Sequence, residues 1–395
     1  MPLPINYGVQ AYLNRKATAA FFNRFNVSLI DPSLSASVDL LALTKNVDFD
    51  TGLPVDVKYG PVDAAGVPLG LLGYIALAVK YQPWFENGYF QTGDVPKDLL
   101  LPFGEFLEKH DLAGSLGILR NLLWLSDPLN TPTWFVMAVV GQPQIAAFGL
   151  GLTGPSFKWP ETHSSETLFD RVLDLIGDDV LLESTVAASR RSDDGVVLTV
   201  KTPSGHKIVK AKKLLIAATP SPENIGTWDL DENEADLFSK FSWESLYVGV
   251  IGNTGLPSDV VGIRNTPDNA TGLYLPHGSF TDAYDRAGEQ DLWTTRVIGR
   301  AGLTLKEARS LVQQPLKQFE EAGTYDIASP AILAFTSHGS TVPKVSAEEL
   351  KNGFFNKLYA LQGQRSTFWT GLTWAPDYTP IIWDFTDKLL AQIVE

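Results

Sequence analysis

Apolar positions along this chain change their spacing, and each change predicts a different element. Residues 19–26, AAFFNRFN, read as a short apolar helix, and residues 46–57 alternate on either side of Asp50-Thr51-Gly52 like a hairpin. From Val67 to Leu125 the pattern is helical. One segment starts at Leu69 and stops before Gln82-Pro83; another carries Leu99, Leu101, Phe103, Phe106 and Leu107 into a basic last turn at Lys109-His110; a third begins at Leu116. This block predicts a helical wall or lid.

Strand periodicity takes over after a helix that starts at Ser164 or Ser165, runs through Leu168, Val172, Leu173 and Ile176, and ends at Gly177. Residues 180–183, 185–189, 196–201 and 207–211 each read as strands. Residues 213–219, KLLIAAT, are apolar without alternation, the pattern of an interior strand covered on both faces. Further strands are expected in SLYVGVIGN, TGLYLP and WTTRVIG, then a helix over 305–322 kinked near Pro315. A strand over 331–337 and an amphipathic helix over 346–361 follow, the latter with Leu350, Phe354, Leu358 and Leu361 inward. The tail, TFWTGLTWAPDYTPIIWDFTDKLL from Thr367, reads as strand, glycine turn and helix. With 395 residues and neither repeat nor low-complexity linker, two domains must interleave along the chain.

A formal charge of −14 with scattered Lys and Arg argues against nucleic acid and against an anionic membrane surface. The chain has no cysteine, which removes disulfides and thiolate metal sites. No histidine pair has metal-site spacing either. Residues 2–8 lack the basic start and apolar core of a signal peptide, and Gly141, Pro143, Gly149 and Gly151 interrupt the uncharged stretch 128–157, so no transmembrane segment is expected. The compartment stays open.

Gly149-Leu-Gly151-Leu-Thr-Gly154 matches a nucleotide-binding glycine pattern by letter. The prolines at 155 and 160 forbid the helix that must follow, so a substrate-domain loop is expected there. The meander TVAAS, VVLTVKTPSGHKIVKA and LLIAATPSP offers extended backbone around Val186 that could read an adenine edge. A purely structural meander has the same pattern.

The order V-x-x-x-R…GVVLTV…G…IVKAKKLLIAATP resembles the second flavin-contacting segment of the amine-oxidase-like flavoproteins. The ending GFFNKLYALQGQRSTFWTGLTW…WDFTD resembles a fungal branch of that family, the beta-cyclopiazonate dehydrogenase-like proteins. It is more distantly similar to bacterial polyenoic fatty acid isomerases. The opening Tyr7-Gly8-Val9-Gln10-Ala11-Tyr12 resembles the segment that passes near the isoalloxazine in those proteins.

This resemblance implies an α/β fold with α+β mixing. An incomplete Rossmann-like FAD-binding domain (residues 1–35, 160–228 and 341–395) is interleaved with a helical-plus-sheet substrate domain (36–159 and 229–340). It implies FAD as cofactor, held by Gly8, Val9 and Gln10, by Val186 at the adenine, by Ala218, Thr219 and Pro220 beside the pyrophosphate, and by Gly371 and Thr373 at the ribityl chain. Tyr378, Thr379 and Pro380 would open a helix whose amides favour negative charge at the flavin pyrimidine.

A hydrophobic amine or unsaturated compound is the implied substrate, with Tyr247, Tyr274, His277 and Trp374 as pocket candidates; Trp369, Trp374 and Trp383 can equally be core aromatics. No general base is identifiable. The family's strand–GxGxxG–helix unit does not precede Tyr7. The expectation is a truncated form, with an apolar sheet face exposed and inviting self-association. A flavin-free ligand binder, or a redox-neutral cyclase or isomerase on the same scaffold, is the competing class.

Overall fold

A computed structural model of the chain describes residues 5–9, 11–31, 44–57, 61, 68–86, 88–89, 91, 93–147, 156–268, 275–288 and 290–394. Its largest sheet has six strands in the order β13-β9-β12-β11-β10-β3: Ala331–Lys344, Ser242–Gly252, Leu292–Arg300, Phe280–Arg286, Gly262–Asn265 and Thr44–Val47. Alternation in the central strands sends Tyr247, Ile251, Tyr284, Trp293 and Val297 to one face, where they meet Ala308, Val312, Leu316 and Phe319 of the helix Leu305–Glu321. A capping box between Thr304 and Glu307 starts that helix, and it runs on through Pro315.

The other face of the sheet is charged. Arg264 and Arg296 both pair with Asp285, Arg296 also pairs with Asp282, and the Arg296 guanidinium lies 5.0 Å from the ring centre of Trp124 in the helical block. The hairpin expected over 46–57 makes its turn, with the Asp48 carboxylate accepting the Asp50 and Thr51 amides. Its second arm is a single bridge, Val47 to Pro54; the real partner of β3 is β10, in parallel.

The helical block is built from short pieces. Leu69–Tyr81 is its long helix; Lys97–Leu100, Phe103–Lys109, Leu116–Leu119, Thr133–Val139 and Gln142–Ala147 pack around it. Apolar character from 116 to 125 therefore exceeds the helix it forms, because turns follow at Arg120. The glycine pattern at 149–154 lies outside the described residues.

A second region carries the meander β5-β6-β7 (Thr185–Ser192, Gly195–Thr202, Gly205–Ala211) and a parallel pair, β8 (Leu214–Ile216) with β14 (Thr367–Trp369). A last helix, α14 (Thr379–Val394), packs through Trp383 on Tyr12, Phe21 and Phe22, and an Arg15–Asp384 ion pair at 2.5 Å closes the N-terminal segment onto it. Residues 180–183 form no strand: Glu183 takes a left-handed φ of 49°, which ends any extended run. The helix expected over 346–361 breaks at Gly353 (φ 73°) into Ala347–Lys351 and Phe354–Tyr359, although its predicted apolar residues do point inward. β8 is only partly sealed, with Leu214 and Leu215 half-buried and Ile216 buried. Among the described residues, no helix is long and apolar enough to cross a membrane.

Candidate functional site

β8 and β14 run in the same direction, so both chains leave the pair at one end. In open parallel sheets that carboxyl end is where ligands bind. The pairing is Thr367 with Leu214, Phe368 with Leu215 and Trp369 with Ile216, and the Thr370 amide extends it by donating to the Ile216 carbonyl at 2.9 Å. Beyond it the chains diverge through Ala217–Ala218 and Gly371–Leu372. Gly371 has φ +103° and lies so close that a Cβ there would sit 2.9 Å from the Ala217 carbonyl oxygen. Only glycine fits both demands. Two and three residues on, polar atoms find nothing: Thr373 Oγ1 and Trp374 Nε1 are buried without a hydrogen-bond partner. Other unpaired buried polar atoms are spread through the described residues, but Trp369 Nε1, Thr373 Oγ1 and Trp374 Nε1 fall within one short segment at the end of β14.

The outer edge of β14 is capped by a side chain. Gln362 donates from Nε2 to the Trp369 carbonyl and accepts the Trp369 amide on Oε1, both at 2.8 Å, replacing a neighbouring strand. Just before β14, Arg365 reaches the meander and the segment after it. It pairs with Asp229 at 2.6 Å and Glu234 at 3.1 Å and donates to the Arg191 carbonyl; Arg191, wholly buried, binds the same two acids at 2.9 and 2.7 Å. Burial alone would raise the Asp229 carboxyl, but hydrogen bonds from Arg191 and Ser189 and the arginine charge bring it down to about 2.

Aromatic residues wall the region between β14, α14 and the helical block. Trp374 stacks on Trp369 and on Tyr359, whose hydroxyl donates to the Trp374 carbonyl at 2.6 Å; Tyr89 and Trp134 both pack on Phe355. Tyr378 donates to the Val139 carbonyl at 3.1 Å, which ties the start of α14 to the helical block. Asp377 reaches solvent but is otherwise surrounded by protein, and this desolvation pushes its carboxyl above the ordinary range.

The structure brings together Ala218, Thr219, Pro220, Gly371, Thr373 and Trp374 at the strand exits. Asn224 closes the first loop by donating to the Thr219 hydroxyl and carbonyl. Val186 lies on β5 with its carbonyl accepting the Thr227 hydroxyl at 2.7 Å. Tyr378, Thr379 and Pro380 open α14 as expected. Val9 is tied to the loop before Glu166–Ile176, where the Ser165 hydroxyl, instead of capping that helix, donates to the Val9 carbonyl; Gly8 beside it has open space around it.

Tyr247 fills the core under the helix Leu305–Glu321, its hydroxyl spent on the Leu303 carbonyl at 2.6 Å, so it presents nothing to a cavity. His277 is exposed beside Gly278, whose amide binds the Ser126 carbonyl. Gln10 and Tyr274 lie outside the described residues. Sequence reasoning missed Asp377, Gln362 and the Arg191–Arg365 cluster.

Comparison with known proteins was made on sequence and on fold. No family model matches the chain. The FAD-dependent oxidoreductase oblC of Cochliobolus heterostrophus is 33% identical over 403 residues, covering 98% of this chain and 81% of that protein. The chain belongs to the FAD-dependent oxidoreductases. The beta-cyclopiazonate dehydrogenase of Aspergillus oryzae is 30% identical over 394 residues, covering 99% of this chain and 82% of its own. Among solved structures, the CLA-producing fatty acid isomerase from P. acnes superposes with a TM-score of 0.75 at 18% identity, over 98% of this chain and 86% of that one. Cyclohexylamine oxidase from Brevibacterium oxydans IH-35A gives 0.63 at 16%, over 99% and 87%. These two share the fold. The resemblance read from the meander and the tail, and the mixed α/β class drawn from it, therefore hold for this oxidoreductase.

Residues at the strand exits suit the ring and ribityl end of a flavin: a bare Gly371, two unpaired buried donors, and a helix start to face negative charge. Among the described residues, no glycine-rich strand-to-helix turn supplies a pyrophosphate cradle, and β8 pairs with β14 alone.

Proposed function

We propose that the protein binds FAD across the carboxyl ends of β8 and β14 and oxidises a hydrophobic small molecule, an amine or an unsaturated compound, held against the aromatic wall. The observation that carries this reading is the Gly371 turn, pressed onto the Ala217 carbonyl with Thr373 and Trp374 left as unpaired donors behind it. In this arrangement the extended backbone at Val186 faces the adenine, Ala218–Pro220 flanks the phosphates, and Thr373 donates to the ribityl end. When bound, FAD supplies a ring that accepts a hydride from a C–H next to nitrogen or to a double bond.

The chain's own contribution is orientation, dryness and field. Tyr89, Trp134 and Trp374 are buried in the aromatic core and Tyr359 is its half-buried member, so an apolar substrate held against this cluster would meet Tyr359 and be shielded from water. The first amides of α14, after Tyr378, would favour negative charge on a bound flavin. The hydrogen bond from Tyr378 to Val139 keeps that helix start in register with the substrate wall.

The test is optical. Purified protein is expected to carry absorbance bands at the flavin maxima that are released on denaturation, and to bleach when a turned-over substrate is added without oxygen. A colourless, folded protein whose melting temperature does not move with added FAD overturns the reading.

A further inference from the structure

Two consecutive non-glycine residues, Arg365 and Ser366, take left-handed backbone conformations, with φ of 50° and 56°. Such conformations persist only where the surroundings over-determine them, and they gather at functional sites. The surroundings here are ionic. Arg365 donates to the carboxylates of Asp229 and Glu234 and to the carbonyls of Asp229 and Arg191, while the Ser366 hydroxyl donates to the Asp193 carbonyl in the turn between β5 and β6.

On the other side, Arg191 approaches within 5.7 Å of the ring centre of Trp369, which stacks on Trp374. Chain direction finishes the connection. Arg365 is followed at once by β14, and β14 ends in the Gly371 turn. The cluster thus joins the meander, where the adenine end of the site lies, to the turn that holds the ring end.

We propose that Arg365 is a positioning residue for the flavin: anchored on Asp229 and Glu234, it sets the spacing between the adenine end and the ring end of the site. The proposal rests on the flavin reading above. It touches no reacting atom and acts through β14. A ligand that must satisfy both ends at once depends on that spacing, whereas a ligand that occupies one end does not.

The experiment compares three probes, FAD, ADP and FMN, titrated into the full chain and its Arg365→Asn and Arg365→Lys variants. Asparagine tolerates the left-handed backbone and removes the guanidinium; lysine keeps the charge and loses the planar fork. Arg296→Gln, in the charged cluster of the large sheet, serves as a control for the general loss of a buried arginine. For Arg365→Asn, FAD affinity is expected to fall roughly tenfold or more while ADP and FMN each change by less than about twofold, and Arg365→Lys to recover part of the loss. The visible bands of bound FAD should shift in the Arg365 variants and not in Arg296→Gln.

Equal weakening of all three probes, or unchanged FAD affinity, overturns the proposal. Should Arg365→Asn fail to fold, the same selective pattern in Arg365→Lys decides the matter either way. Wild-type protein that binds none of the probes sinks the flavin reading itself, and the proposal with it; wild type that binds FAD with variants that lose all probes alike sinks the proposal alone.

Discussion

The six-stranded sheet and the parallel pair both consist of strands backed by helices, but they close themselves off differently. The large sheet spends its apolar face against Leu305–Glu321 and its charged face against the helical block, where Arg264 and Arg296 find carboxylates. Of its buried polar atoms, Arg264 Nε and Nη1 lack a hydrogen bond, although Nη1 keeps its ion pair with Asp285. The parallel pair is short. β8 has a single strand partner among the described residues. Its polar atoms at the strand exits are unpaired, and ion pairs at Arg191 and Arg365 add to the apolar packing of Ile216, Phe368 and Trp369 that holds it. One region is stable in itself. The other is arranged to be completed by a ligand.

The comparison breaks most directly through Trp293, fully buried under the helix in the large sheet. Trp293→Ala is expected to cost about 3–5 kcal/mol in a urea or thermal unfolding experiment. FAD affinity of the fraction still folded should not change; if it falls in step with stability, the two regions are one cooperative unit and the distinction fails. Gly371→Ala acts on the opposite side. A side chain at φ +103° and 2.9 Å from a carbonyl must displace the turn, at a cost of about 1–3 kcal/mol. Here flavin binding should be lost well beyond what the stability change explains, as read by the absorbance of purified protein.

How much of this was legible in the sequence follows from the distances over which each feature is encoded. The strand–turn–helix of the tail is local: apolar Thr367–Trp369, then Gly371, then an apolar helix, and the structure has those elements where the pattern puts them. The meander was legible for the same reason, since alternation and the turns at Gly195 and Gly205 are short-range signals. Residues 180–183 misled because an apolar run has no way to announce that Gly177 and Glu183 turn it out of line. Tyr247 misled because period two identifies a strand's faces without saying which of them a helix will cover. The ionic cluster was invisible. Arg365 lies 174 positions from the Arg191 carbonyl it binds and 131 from Glu234, and no periodicity spans such gaps.

Acid sharpens the comparison by loosening the meander and the parallel pair through Asp229. Its carboxyl is at about 2 in the folded protein against 3.8 ordinarily, so the folded value is depressed. The associated stability is complete above about pH 4 and disappears as pH falls towards 2, where the folded state too takes up the proton. Because part of this side chain faces solvent, about 1–2 kcal/mol is the expected size. The check is the stability gap between wild type and Asp229→Asn: it should narrow by that amount from about pH 4 to about pH 2. A gap that is flat across this window would mean that the arginines do not hold the meander through this carboxylate.

Thr373→Val is the finest probe, because it changes a hydroxyl to a methyl at nearly constant volume. In the ligand-free protein the hydroxyl has no partner, so removing it relieves a buried, unsatisfied group, and stability should stay the same or rise by up to about 1 kcal/mol. In the proposed complex the same hydroxyl donates to the ribityl end, and its loss should weaken FAD by about 0.5–1.5 kcal/mol, roughly twofold to thirteenfold. Opposite signs in the two measurements distinguish a residue waiting for a ligand from one that merely packs. A variant that loses stability and keeps its FAD affinity would place Thr373 in the core, and the parallel pair would then be as self-contained as the large sheet.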